Sequence, residues 1–227
     1  MRVGNVSYES IDTIPSIVPV FPLSGALLLP RAHLPLNIFE RRYVAMIDDV
    51  LGADRVIGMV QPRFDRDTDD VGEEERPELC EVGALGRIVS FQESGDGRYI
   101  IQLAGVTRFR ILEEMDEGHI YRRCRISADR FADDLADPCG DGDVDRDALI
   151  KAFQNYLDAN DLEADWKSVR SASNEALVNT LAMMSPYGPA EKQALLEAPD
   201  LRARAATLVA ITEMELARQN GDKPTLN

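Results

Sequence analysis

Metal binding, nucleophilic attack or acid–base chemistry in this 227-residue chain would have to come from two histidines, three cysteines and its many carboxylates. A zinc centre needs three or four N, S or O ligands held together. His33 and His119 lie far apart, and Cys80, Cys124 and Cys139 form an odd set with no CxxC spacing, so the expectation is no metal, no disulfide framework and reduced thiols. The run Asp141-Gly142-Asp143-Val144-Asp145-Arg146-Asp147 has the look of a calcium loop. Arg146 stands at the position that needs glycine and Ala152 at the position of the bidentate glutamate, so it reads instead as a solvated linker that caps the next helix. His119 and Cys124 fall on one predicted strand at an odd separation, which places them on opposite faces and removes them as a nucleophile and base. The carboxylate pairs Glu113-Glu114 and Glu73 to Glu75 sit at a strand end and in an acidic loop, where solvent is their natural partner.

One cluster is different. Glu40, Arg42 and Tyr43 follow a buried-looking Ile38-Phe39 at a predicted helix start, where a carboxylate gains from the helix dipole and can accept from Arg42, Arg108 or Arg110. The plain reading is an ion pair that fixes a corner; the functional one is a rim that engages a ligand's backbone or charge. With Phe21 close by in sequence, the candidate ligand- or peptide-binding set is Phe21, Phe39, Glu40, Arg42, Tyr43 and Arg108.

The elements that would position this set begin in Val18 to Val44, which holds four of the twelve prolines, Pro19, Pro22, Pro30 and Pro35. Proline has no ladder donor, so the apolar runs between them are short strands with edges or bends: Ile17 to Phe21, Leu27 to Leu29 and Leu36 to Phe39. Residues 1 to 16 read as a loosely attached lead-in whose end can pair with the sheet. From Glu40 the period becomes helical, with Tyr43, Val44, Ile47, Val50 and Leu51 on one side and Gly52 as a stop. Arg55 to Val60 is a strand. Residues 63 to 81 carry nine carboxylates against three arginines and read as an exposed acidic loop. Glu81 to Glu93, the Gly95-Asp96-Gly97 turn and Arg98 to Leu103 form a hairpin. Two more strands follow after Gly105, Val106 to Leu112 and His119 to Ile126. Seven aspartates in residues 132 to 147 mark a linker between a β-rich part, 1 to 131, and a helical part, 148 to 227. In the latter, Ser173 caps one helix, Pro189 opens another and Asp200 caps a last one.

Several ordered stretches, VPVFPLSGALLLP, LPLNIFERRY, IGMVQP, VGALGRI, GRYIIQLAGVTRFRI, LVNTLAMMSP and ALLEAPDLRARAATL, resemble the Lon protease N-terminal, or substrate-binding, domain family over residues 17 to 218. Arg41 stands where many members carry proline. The resemblance implies an α+β fold, a PUA-like β pseudo-barrel with one helix followed by a C-terminal helical bundle. It also implies non-catalytic binding of unfolded or exposed polypeptide, or docking as an adaptor on a Lon-like protease. No GxxxxGK[ST] phosphate loop and no counterpart of the Ser-Lys peptidase segment is present, so the expectation is a non-enzyme without cofactors. The formal net charge of −15 disfavours nucleic acid and anionic membrane, although Arg122, Arg123 and Arg125 form a local basic cluster that an RNA-reading PUA-like protein would use. The amino end has no apolar run of leader length, and the expected location is cytoplasmic.

Overall fold

The computed structural model describes residues 1–63, 76–115, 118–136 and 143–221. Among them the chain order is β1 (Arg2–Val3), β2 (Val6–Ser7), β3 (Ile17–Pro22), β4 (His33–Ile38), α1 (Arg41–Leu51), β5 (Val56–Val60), β6 (Val82–Glu93), β7 (Tyr99–Met115), β8 (Arg122–Ser127), α2 (Arg146–Ala159), α3 (Trp166–Ser171), α4 (Asn174–Met184), α5 (Pro189–Glu197) and α6 (Leu201–Gly221). The fold class is α+β, as expected. Most of residues 63 to 81, and Cys139 with residues 137 to 142, lie outside the described residues.

The strands β5 to β8 alternate or run apolar over lengths that suit a sheet. β7 is long enough to serve three neighbours: β4 beside its first part, β8 beside its last part, and β6 along most of its length, all antiparallel. β5 joins β6 to β3, and β3 joins β8. The pairings therefore close a ring, β7-β6-β5-β3-β8 and back to β7, with β4 outside it. Inside lie Val18, Val20, Val56, Leu85, Val106, Phe109 and Cys124, all essentially without exposure. Val3 and Tyr8 join this core, and Tyr8 N–H donates to the Met1 carbonyl at 2.8 Å, so the opening residues are anchored and not a loose lead-in.

Three expected boundaries move. Leu27 to Leu29 is no strand; it is an irregular segment buried by its side chains. Gly105 does not end a strand either, because β7 runs through it. A Cβ at Gly105 would stand 2.0 Å from the Leu29 carbonyl oxygen, so glycine is there to let that segment cross. Arg31, with φ of 66°, donates to Gly105 O at 2.9 Å, while Gly105 N–H donates to Ala32 O at 2.9 Å. Two residues thus face one, a bulge with its first residue left-handed. Thirdly, the last strand of the sheet starts at Arg122 and not at His119.

The chain divides into two compact units, Met1–Asp137 with Tyr187–Leu196, and Pro138–Pro186 with Glu197–Asn227. The expected helical half therefore loses most of α5 to the strand unit. The reason is a buried polar network. Gln61 Nε2 donates to Pro189 O at 3.0 Å and Gln193 Oε1 at 3.1 Å, its Oε1 accepts from Gly25 N–H at 2.9 Å, and Gln193 Nε2 donates to Val82 O at 3.0 Å. Arg108, also buried, donates to Leu196 O at 3.1 Å and to both oxygens of Asp134 at 2.9 to 3.0 Å. Asp134 was expected in a solvated linker, yet it lies in a 3-10 turn, Asp129–Leu135, against the strand core. Helix α1 is pinned by its carboxylates: Tyr99 and Tyr121 hydroxyls donate to Asp48 and Asp49 at 2.6 and 2.5 Å.

In the second unit, Asp145 caps α2 by accepting from Ala148 N–H at 3.0 Å, Ser173 caps α4 at 3.2 Å from Ala176 N–H, and Asp200 accepts from Ala203 N–H at 2.7 Å at the start of α6. α3, capped by Asp165, has too few apolar residues to give a helical period. Arg146 crosses from α2 to Val169 O at 2.7 Å and Asn174 Oδ1 at 2.5 Å.

Gly105→Ala should cost about 3 kcal/mol or more, because backbone and not a flexible side chain meets the new methyl; a Tm drop of roughly 6 to 12 °C by calorimetry checks it. Asp134→Ala, which leaves the Arg108 guanidinium buried without its carboxylate, should cost about 3 to 5 kcal/mol in urea unfolding. Burial first, and then the bond to Asp49, push the Tyr121 hydroxyl up from 10.0 to about 12. A proton held more tightly in the folded chain gives stability that is complete below pH 10 and fades as pH rises toward about 12. Tyr121→Phe should accordingly flatten the fall of Tm across that window while lowering Tm at neutral pH.

Candidate functional site

The turn from β4 into α1 gathers four of the six candidate residues, and β3 brings a fifth. Glu40 sits at the N-cap of α1 with extended backbone, and its carbonyl accepts from Tyr43 and Val44 N–H at 2.9 Å each. Its carboxylate does not cap the helix. It accepts instead from Arg42, 2.9 Å to Nε and 2.7 Å to Nη2, and Arg42 lies over the Tyr43 ring with its guanidinium carbon 4.6 Å from the centroid. The Tyr43 ring in turn meets Phe21 at 4.2 Å, tilted by 57°. Both rings are buried, and burial raises the Tyr43 hydroxyl pKa above its ordinary value. Ile38 points into the core, but Phe39, expected to be buried with it, points out with 64% of its surface exposed, because successive side chains of an extended chain alternate faces.

Arg108 does not join this cluster. It is 4% exposed and engaged with Asp134 and Leu196, so of the three arginines considered for Glu40 only Arg42 reaches it; Arg110 pairs with Glu81 at 2.9 Å. Phe21 and Tyr43 therefore hold the corner from beneath, while Phe39, Glu40 and Arg42 face outward.

Beside this corner runs an open sheet edge. Among the described residues β4 pairs only with β7. The Gly105 N–H to Ala32 O bond sets the alternation, so the backbone groups of Leu34, Leu36 and Ile38 face β7, and those of His33, Pro35 and Asn37 face away. Proline thus falls where its missing N–H leaves the ladder intact, as edge strands require. Register places Leu36, Ile101 and Phe91 in one row on one face, and Asn37, Ile100 and Gln92 on the other. Phe91 and Ile100 are exposed although both are large and apolar. Sequence reasoning passed over these two; the signal was that Ile100 is apolar on the face where Arg98 and Gln102 are polar.

The remaining candidates are accounted for by partners. Arg122 pairs with Glu114 and donates to Pro77 O at 2.6 Å, Arg125 pairs with Glu113 at 3.4 Å, and Arg123 approaches His119 at 3.3 Å. The basic cluster is thereby largely neutralised by the carboxylate pair once assigned to solvent. Cys124 is fully buried, and burial pushes its thiol up to about 11, the opposite of an activated nucleophile. Among the described residues no three His, Cys, Asp or Glu gather as metal ligands, and no helix is long and apolar enough to cross a membrane.

Comparison with known proteins agrees with this architecture. The model of the ATP-dependent protease La (LON) substrate-binding domain matches residues 17–213. Lon protease 2 of Sorangium cellulosum (strain So ce56) is 30% identical over 210 residues, 88% of this chain and 25% of that protein. Lon protease 2 of Myxococcus xanthus is 28% identical over 203 residues, 85% of this chain and 23% of that protein. The chain thus spans about a quarter of the length of these relatives. Among solved structures, the Lon N-terminal domain protein from Xanthomonas campestris superposes with a TM-score of 0.59 at 21% identity, covering 86% of this chain and 98% of that one. A match that runs from β3 into α6 and includes the β4–α1 corner settles the family: the chain belongs to the Lon substrate-binding domain family.

Proposed function

We propose that the chain recognises extended, apolar-rich polypeptide along the outer edge of β4, with Phe39, Glu40 and Arg42 at the end of that edge as the specificity-bearing corner. Its membership of a substrate-binding domain family gives the class of ligand. The observation that carries the location is an edge with no ladder partner among the described residues, ending in a phenylalanine that is 64% exposed. An added strand would bond to the outward groups of His33 and Asn37 and donate to Pro35 O, while proline denies it a continuous ladder. Main-chain pairing is then sequence-tolerant and reversible, and apolar side chains of the ligand gain by covering Phe39 and, on the adjacent β7, Ile100. Phe21 and Tyr43 act from below, holding the backbone of the corner. Arg108 is removed from the proposed set because its donors serve the core.

The closed ring and the helices are read here as the PUA-like pseudo-barrel and helical bundle that the family resemblance implies. The function is binding without catalysis: the matched region is a substrate-binding domain alone, and the former nucleophile candidate is buried with a raised pKa. A cytoplasmic location belongs to the same reading.

Calorimetric titration with an unfolded apolar model peptide should give saturable binding in the micromolar to millimolar range, about −8 to −4 kcal/mol. Phe39→Ala should weaken it about tenfold, as expected for part of an aromatic burial, with Tm unchanged because the ring is exposed. Absence of saturable binding up to millimolar peptide, or wild-type affinity in Phe39→Ala, would sink the proposal.

A further inference from the structure

The core-side face of β4 is unfinished at its outer edge. Residues 33–38 alternate between exposed and half-buried until Ile38 closes the series. Register sets Leu34 in a row with Leu103 and Ile88, and Leu36 in a row with Ile101 and Phe91. Along β7 these rows are sealed, with Leu103 and Ile101 at 0% and 1% exposure, whereas on β4 Leu34 and Leu36 are only half-buried. A fully enclosed leucine has side-chain neighbours on both sides along its row. Among the described residues these two have a strand on one side only.

The opposite face of the same strand makes a different demand. There His33, Pro35 and Asn37 are exposed, and the rows through Pro35 (Gln102, Ser90) and Asn37 (Ile100, Gln92) hold no charged side chain. In a chain with 29% charged residues this leaves nothing within those rows to choose a ligand by its charge. Selection along the strand then falls on the core-side face.

Resting on the β4-edge reading of function, we infer that the segment this edge selects has apolar residues at alternate positions, two of them seated beside Leu34 and Leu36, with uncharged residues between. The outward backbone groups belong to His33, Pro35 and Asn37 and not to the two leucines. An antiparallel segment therefore meets Leu34 and Leu36 in the non-hydrogen-bonded pairs, where Cα atoms stand about 4.5 Å apart and side chains are closest. Only at the end of the edge, where Phe39 is exposed, does the other face also take an apolar side chain. Alternation is the pattern of a strand from a half-solvated antiparallel sheet, and it differs from the period of an equally apolar amphipathic helix. The favoured class of polypeptide is the unfolded strand, not the unfolded helix.

Calorimetric titration of the full chain with two end-blocked peptides of one composition tests this. In the first, leucine and glutamine alternate ahead of a terminal phenylalanine; in the second, the same residues recur at helical spacing. The alternating peptide should bind about tenfold more tightly, the return expected for covering the exposed parts of two leucines. Leu36→Ala should cut that preference to about threefold. Phe91→Ala, in the same row but two strands from the edge, should leave it unchanged. The preference is a ratio measured on one protein, so any unfolded fraction of a variant cancels from it. Equal affinity for the two peptides, or tighter binding of the helical pattern, overturns the inference; the edge itself then stands if Phe39→Ala still weakens both. A tenfold preference that survives Leu36→Ala intact overturns it too. Binding of neither peptide removes this inference and the β4-edge reading together.

Discussion

Everything in the strand unit depends on β7 running unbroken past a crossing segment. A strand that pairs with β4, β6 and β8 in turn is what closes the ring, and closure leaves the core of Val18, Val20, Leu85, Val106 and Phe109 without a wet side. The crossing happens at Gly105, where the Leu29 carbonyl occupies the space a side chain would need. The same point bends the chain through the Arg31 bulge into β4. The proline-rich stretch and the longest strand are thus two halves of one steric arrangement, and the position of the β4 edge follows from it.

Polar groups inside this unit are matched, and the matching assigns α5 to the strands. Gln61 and Gln193 satisfy each other and three backbone groups; Arg108 satisfies Asp134 and the carbonyl at the end of α5. Desolvated groups of this kind contribute little if replaced together by apolar ones, yet losing one partner is costly. They act more as a lock on geometry than as a source of net stability. The carboxylate ends of α1, held by Tyr99 and Tyr121, fix the opposite end of the helix whose start carries Glu40 and Arg42.

At the corner, one short run of sequence divides into support and surface. Phe21 and Tyr43 stack beneath, Arg42 covers Tyr43 and holds Glu40, and Phe39 is left outside by strand alternation. Burying a phenylalanine of this size is worth about 2 kcal/mol to a ligand that covers it, so a single residue gives weak binding. Ile100 on the adjacent β7, in the row of Asn37, adds exposed apolar surface beside that edge, which suits a partner that is long and extended better than one that is compact.

Local rules written in the sequence determined a good deal here. The hairpin at Gly95 to Gly97, the change of period at Glu40, the caps at Ser173 and Asp200 and the proline at the start of α5 all depend on neighbours within a few residues, and they stand where expected. Alternation placed Tyr99, Ile101 and Leu103 on the inner face. What the tertiary structure decided were matters of partners distant in the chain. Gly105 reads locally as a break, and only the Leu29 carbonyl makes it a continuation. Asp134 reads as one aspartate among seven, and only Arg108, 26 positions away, makes it a core residue. Arg108 and Arg42 carry the same charge and were equal candidates for Glu40 until the fold buried one beside Asp134 and laid the other on Tyr43. Residue type sets what a side chain can do, and burial with its partners, which no local spacing encodes, sets which of those things it does.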